Sequence, residues 1–145
     1  MTARSARGSS PSLTFVPPIE HWPDAGVYQL WLRVSVDLRV TIGRLGRFTF
    51  VAGRYVYTGR ASRGLRSRVL RHVRGDGRRH WHIDYLLARP QVRIERVELA
   101  SDNPADECAL NQTLASKGEC IAPGFGASDC KAGCGTHVWR MRRSH

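Results

Sequence analysis

The sequence predicts an α/β (α+β) fold, a small and mainly antiparallel sheet flanked by helices. Three observations carry that expectation. Apolar and polar residues alternate in short segments between residues 27 and 57, and the gaps between them are short, which implies antiparallel neighbours. Leu65, Val69 and Val73 then fall at i, i+4 and i+8 with Leu70 beside them, the stripe of an amphipathic helix. Hydrophobic residues make up 41% of the 145, enough for one real core and too many for wholesale disorder.

Residues 1–24 read as a flexible lead-in, because Met1 to Ser12 has no hydrophobic period and Pro17, Pro18 and Pro23 forbid regular helix. Phe15, Val16 and Ile19 are the residues that could pin part of it to the body. The folded domain, residues 25–145, opens on a strand in which Tyr28, Leu30, Leu32 and Val34 alternate with Gln29, Trp31 and Arg33. Further strands follow over Leu38–Ile42, Arg47–Ala52 and Arg54–Tyr57, divided by Gly43, Gly46 and Gly53. The helix from about Leu65 ends at Gly75-Asp76-Gly77. Trp81, Ile83, Tyr85, Leu86 and Leu87 suit a short helix or buried turn. Val92–Leu99 alternates as a strand, and Asn103-Pro104-Ala105-Asp106 starts a last helix carrying Glu107, Ala109, Leu110 and Leu114. The final third is loop-rich.

The formal net charge is +11 and the sequence pI about 10.7, and 21 of the 23 basic residues are arginine. A GC-rich genome explains arginine over lysine as readily as function does. The positive excess itself favours a polyanionic partner, DNA first and RNA second. No apolar run reaches the ~20 residues of a spanning helix, and the N-terminus lacks the apolar core of a signal peptide, so no membrane partner is expected. A cytoplasmic location with reduced cysteines is the expectation. Nine arginines stand between Arg54 and Arg79 against one acid, Asp76. A strand, a glycine turn and an arginine-studded helix make a phosphate-binding surface, with Arg60, Arg63, Arg66, Arg68 and Arg71 as its groove.

Gly26-Val27-Tyr28 on the first strand and Tyr57-Thr58-Gly59 on a later one resemble the paired signature of the GIY-YIG nucleases. Arg68-Val-Leu-Arg-His72 resembles the arginine-x-x-x-histidine helix that follows the second signature. Tyr55-Val-Tyr-Thr-Gly-Arg-Ala61, Trp81-His-Ile-Asp-Tyr-Leu86 and Gly124-Phe-Gly-Ala-Ser-Asp-Cys130 are similar to a narrower group, the small Uri-type endonuclease-like domains, formerly a domain of unknown function. Together these segments cover residues 25–139. Gly26 and Tyr57 lie further apart than in typical members, which an extra hairpin at about Leu38 to Phe50 explains. Threonine also replaces the central isoleucine of the second signature.

The resemblance implies a metal-dependent endonuclease that hydrolyses phosphodiester bonds in DNA with one divalent cation, Mg²⁺ or Mn²⁺. It also implies a tie to DNA repair, since such domains are sometimes fused to a repair glycosylase. In its terms Tyr28, Tyr57, Arg68 and His72 are catalytic. Glu107 is catalytic and holds the metal, as a hard cation requires, although Glu95, Glu98 and Glu119 compete on sequence alone. A tyrosine base needs its phenol lowered from about 10, and the surrounding arginines are expected to do that. Gly59 and His82 join Arg60, Arg63, Arg66 and Arg71 in binding substrate. Few features could read base edges, so recognition is expected to be structure- or backbone-directed.

Two further clusters stand out. His80, His82 and Asp84 bring two imidazoles and a carboxylate together, which would share a face only on a strand. Cys130-x₃-Cys134-x₂-His137, with Cys120 or Cys108 as a fourth ligand, gives a zinc site as the lesser expectation, with buried free thiols the commoner outcome. Two other functions stay open, a nucleic-acid-binding module without turnover and a zinc-stabilised RNA-binding or interaction protein.

Overall fold

The computed structural model describes residues 13–75, 78–127, 130 and 132–142. Eight strands and three helices appear among them: β1 (Thr14–Val16), β2 (Gly26–Val34), β3 (Leu38–Ile42), β4 (Gly46–Phe50), β5 (Gly53–Ala61), α1 (Leu65–Arg74), α2 (His82–Leu87), β6 (Val92–Ser101), α3 (Glu107–Gln112), β7 (Gly118–Cys120) and β8 (Val138–Met141). Single 3₁₀ turns fill Ile19–His21 and Pro104–Asp106. Six strands form one sheet in the order β1-β6-β2-β5-β8-β7, antiparallel throughout except for the β1–β6 pair. The class is α+β and the sheet mainly antiparallel, as the sequence predicts.

The extra hairpin is also where the sequence puts it, with β3 and β4 pairing as a separate two-stranded sheet from Leu38↔Phe50 to Ile42↔Gly46. Leu38, Val40, Ile42 and Phe50 are buried while Arg39 and Thr41 are exposed, the two-residue period of a half-buried strand. Phe50 meets Tyr55 and Phe125 ring to ring, at 5.8 and 6.2 Å between centroids, so the hairpin closes over the core of the main sheet.

Three readings need correction. The lead-in ends earlier than residue 24. Thr14–Val16 pairs with Arg96–Glu98, and Trp22 is 2% exposed with its indole N–H donating to the Pro17 carbonyl at 2.8 Å. Asp24 reaches further still. Its carboxylate accepts from the Gly64 N–H and its carbonyl from the Leu65 N–H, both at 3.0 Å, so it caps α1 through long-range contacts that local pattern could not reveal. Residues 1–12 lie outside the described residues.

In α1 the buried residues are Leu65, Val69 and His72, while Leu70 is 39% exposed. The apolar face is therefore completed by a histidine rather than by Leu70. Gly75 ends the helix in the left-handed region, φ 68°, and its N–H returns to the Arg71 carbonyl. Asp76 and Gly77 lie outside the described residues. Finally, residues 82–87 are a helix, so the His80, His82 and Asp84 trio does not share a face. Asp84 instead accepts from the His80 and Trp81 backbone N–H groups at 2.7 and 2.8 Å, capping α2.

Trp22→Ala is expected to cost about 3–5 kcal/mol, the usual range for emptying a buried tryptophan site. Urea unfolding of the variant measures this, and a cost within experimental error of zero would return residues 13–24 to a dispensable lead-in.

Candidate active site

β2 and β5 set the geometry. Their antiparallel register places Tyr28 opposite Gly59 and Leu30 opposite Tyr57, so both signature tyrosines rise from one face of adjacent strands. Their rings lie 6.3 Å apart. Gly59 is glycine because the Tyr28 ring crosses it: a Cβ there would sit 2.6 Å from the Tyr28 hydroxyl oxygen and 3.0 Å from the Tyr57 ring. Gly59 is thus a spacing residue for the tyrosines.

An open cleft of about 290 Å³ forms above this pair, lined by Tyr28, Tyr57, Arg60, Ser62, Arg63, Arg68, Trp81, Glu107, Gly126, Cys130 and His137. Five separate parts of the chain meet here. β2 and β5 bring the phenols, α1 brings Arg68, α3 brings Glu107, and the C-terminal loop brings Cys130 and His137. A larger groove of about 430 Å³ lies between the hairpin and α2, with Arg39, Arg47, Arg79 and Arg89 in its walls. Its lining has no carboxylate, and its hydroxyl groups are those of Thr41 and Tyr85.

Arg68 donates to the Arg60 carbonyl at 2.6 Å, and its guanidinium stacks on Trp81 at 4.4 Å from the ring centroid. These contacts hold the fork in place before any ligand arrives. Glu107 lies with one oxygen 3.5 Å from the Arg60 Nε and the other 3.5 Å from the His137 Nδ1. A carboxylate has about four acceptor positions, so both contacts leave capacity for a further donor or a cation.

His72 does not face the cleft. It is 2% exposed behind Tyr28, whose hydroxyl lies 2.8 Å from His72 Nε2. Asp84 Oδ1 is 4.0 Å from the other ring nitrogen and is itself held by Arg71 at 3.2 Å. Burial lowers the His72 pKa to about 4, helped by Arg68 and Arg71 and opposed by Asp84. The ring is therefore neutral at physiological pH, and Tyr28 O–H donates to it. Burial also raises both cleft phenols well above their usual value, outweighing Arg68, which pulls the other way. The expectation that arginines would activate a tyrosine fails on this point: both phenols are protonated at neutral pH.

The remaining arginines and His82 divide. Arg60 and Arg63 line the cleft, whereas Arg66 is exposed outside its lining and Arg71 is engaged by Asp84 and by Trp81, 4.8 Å from the ring centroid. His82 Nδ1 accepts from the Gly126 N–H at 2.8 Å, bracing the loop rather than touching the cleft. Sequence reasoning missed Trp81, Cys130 and His137 as cleft residues. Only the unusual density of polar and aromatic groups in His80–His82, and the cysteine–histidine spacing, signal them. Ser128 and Asp129, within the Gly124–Cys130 segment of the resemblance, lie outside the described residues.

Beside the cleft, Cys108, Cys130, Cys134 and His137 place one potential ligand atom each within 4.8 Å of all the others. This cluster could hold a metal ion. Cys108 is the fourth member, and Cys120 is exposed elsewhere.

Residues 27–145 match the profile of the family described as Domain of unknown function DUF123. The chain belongs to that family. In this DUF123 protein the match covers every residue of the cleft, and it begins after Trp22 and Asp24, which support the fold from outside it. No curated protein and no solved structure matches the chain.

Two outcomes are expected. The folded His72 ring refuses a proton that the unfolded chain accepts near pH 6.5, so its contribution is full above about 6.5 and lost as pH falls to about 4. That contribution is on the order of 3 kcal/mol. NMR should show the His72 ring resonances flat from neutral pH down to about 5, and a midpoint near 6.5 would overturn the assignment. Gly59→Ala should cost about 1–3 kcal/mol by overpacking against Tyr28, and should shift the Tyr28 and His72 resonances together.

Proposed function

We propose that this protein is a metal-dependent endonuclease acting on phosphodiester bonds in DNA, directed by backbone or structure rather than by base sequence. The supporting observation is the convergence of Tyr28, Tyr57, Arg68 and Glu107 on one solvent-open cleft from four different elements. It also supports the GIY-YIG resemblance. Three guanidinium groups, from Arg60, Arg63 and Arg68, face a single carboxylate there, a balance suited to a phosphate backbone.

The chemistry needs an activated water, charge stabilisation on the phosphoryl group and a route for the water's proton. Glu107 is the hard oxygen ligand that would hold Mg²⁺ or Mn²⁺, with water and phosphate oxygens completing the shell. A bound cation would acidify its water and offset phosphoryl charge. Arg68, already fixed by Trp81 and the Arg60 carbonyl, pairs with two phosphate oxygens. Tyr28 accepts the proton of the attacking water while passing its own to neutral His72 Nε2, and the imidazolium so formed lies near Asp84. As the water oxygen bonds to phosphorus, the bond to the leaving ester oxygen breaks, and that oxygen takes its proton from solvent at the open cleft. Tyr57, protonated, donates a hydrogen bond to a phosphoryl oxygen.

A supercoiled plasmid or a branched duplex with Mg²⁺ or Mn²⁺ should be nicked. Glu107→Gln, Tyr57→Phe and Arg68→Ala should each lower the rate by about 10²-fold or more while keeping the native circular dichroism and melting temperature. Salt-sensitive DNA binding with no cleavage under either metal would make the protein a binding module instead.

A further inference from the structure

Three thiols and an imidazole meet at one point outside the chemistry proposed for the cleft. Cys108 comes from the first turn of α3, Cys130 and Cys134 from the C-terminal loop, and His137 from the residue before β8. Cys108 Sγ and Cys130 Sγ are 3.4 Å apart, well beyond the roughly 2.05 Å of a disulfide. A tetrahedron with metal–sulfur bonds of about 2.3 Å has edges of about 3.8 Å. The donor atoms, all within 4.8 Å of one another, already stand close to that spacing.

The histidine supplies the second observation. Its ring is 1% exposed and Nδ1 lies 3.2 Å from the Thr58 carbonyl, an acceptor only, so Nδ1 carries the proton that makes that bond. Nε2 is buried with no hydrogen-bond partner among the described residues. A buried ring nitrogen left bare is costly unless something binds it. A carbonyl holding one ring nitrogen while the other ligates a metal is the usual outer support of a metal histidine.

We propose that Cys108, Cys130, Cys134 and His137 hold one structural zinc ion that fastens the C-terminal loop to α3. Three soft thiolates with one imidazole select zinc over the hard cations that suit Glu107. Four protein ligands leave no open position, so the role is to hold structure. Its place is consequential. Cys108 directly follows Glu107, and Cys130 and His137 both reach the cleft wall, so the ion fixes the backbone on which the cleft's carboxylate stands. The Asn111 side chain runs parallel to this tie, donating to the Thr136 carbonyl at 2.8 Å and accepting from Trp139 at 3.0 Å.

The test uses the full chain purified without chelator. Elemental analysis should find about one zinc per chain. Cobalt exchanged into the wild-type protein should give the thiolate charge-transfer and tetrahedral ligand-field bands of an S₃N site. Cys134→Ser should lose the stoichiometric metal and Cys120→Ser should keep it. Should Cys134→Ser fail to fold, native thiol titration of the wild type decides, with three thiols protected until a chelator is added. Four freely reactive thiols without metal, a Cys108–Cys130 disulfide, or iron in place of zinc would each overturn the proposal. None of these measurements reads DNA cleavage, so the zinc site and the nuclease reading stand or fall separately.

Discussion

The register between β2 and β5 is the constraint on which the cleft depends. Opposing Tyr28 to Gly59 lets one phenol lie flat across a backbone that has no side chain, with Tyr57 two residues back on the same face. A one-residue slip of β5 against β2 would turn Tyr57 to the opposite side of the sheet from Tyr28, because side chains alternate with a period of two. The same crossing pushes the Tyr28 hydroxyl toward α1, where His72 receives it. A strand pairing, a glycine and a buried histidine are thus parts of one packing solution.

Burial then decides the electrostatics. Desolvation of the charged form raises the two phenols against the pull of Arg68, and it lowers His72 against the pull of Asp84, with Arg68 and Arg71 acting in the same direction. The cleft keeps its neutral groups at the back and its charged groups, Arg60, Arg63, Arg68 and Glu107, toward the opening. On the proposed reading the water-facing charges would meet the phosphate backbone, and the neutral Tyr28–His72 pair behind them would relay a proton without first being stripped of solvent.

What the sequence revealed follows from the range of the forces involved. Strand alternation in Leu38–Ile42 and the helical stripe through Leu65 and Val69 are local, and they were legible to within a residue or two. The convergence of Tyr28, Tyr57, Arg68 and Glu107 is not local, and only the likeness of ordered motifs to a known pattern could anticipate it. Asp24 capping α1, and Trp22 entering the core from a proline-rich segment, had no local signal at all. The burial of His72 had no local signal either, and a hydrogen bond from Tyr28 makes that position tolerable for a polar ring. The cysteine spacing left Cys120 and Cys108 equal as a fourth ligand, because the fold alone brings Cys108 beside Cys130 and leaves Cys120 exposed elsewhere.

Successive helical residues point about 100° apart, so Glu107 and Cys108 can face two different neighbourhoods from one turn of α3. One offers a carboxylate to an arginine-lined, open cleft, and the other a thiol to a cluster of sulfur and imidazole. The chemical preferences of the two donor sets barely overlap, since hard cations seek oxygen and zinc seeks thiolate. A short helix of six residues has little intrinsic stability of its own. Its position must come from what it is tied to, Thr136 and Trp139 through Asn111 on one side and the cysteine cluster on the other. The carboxylate of the cleft is therefore only as well placed as the sulfur site next to it.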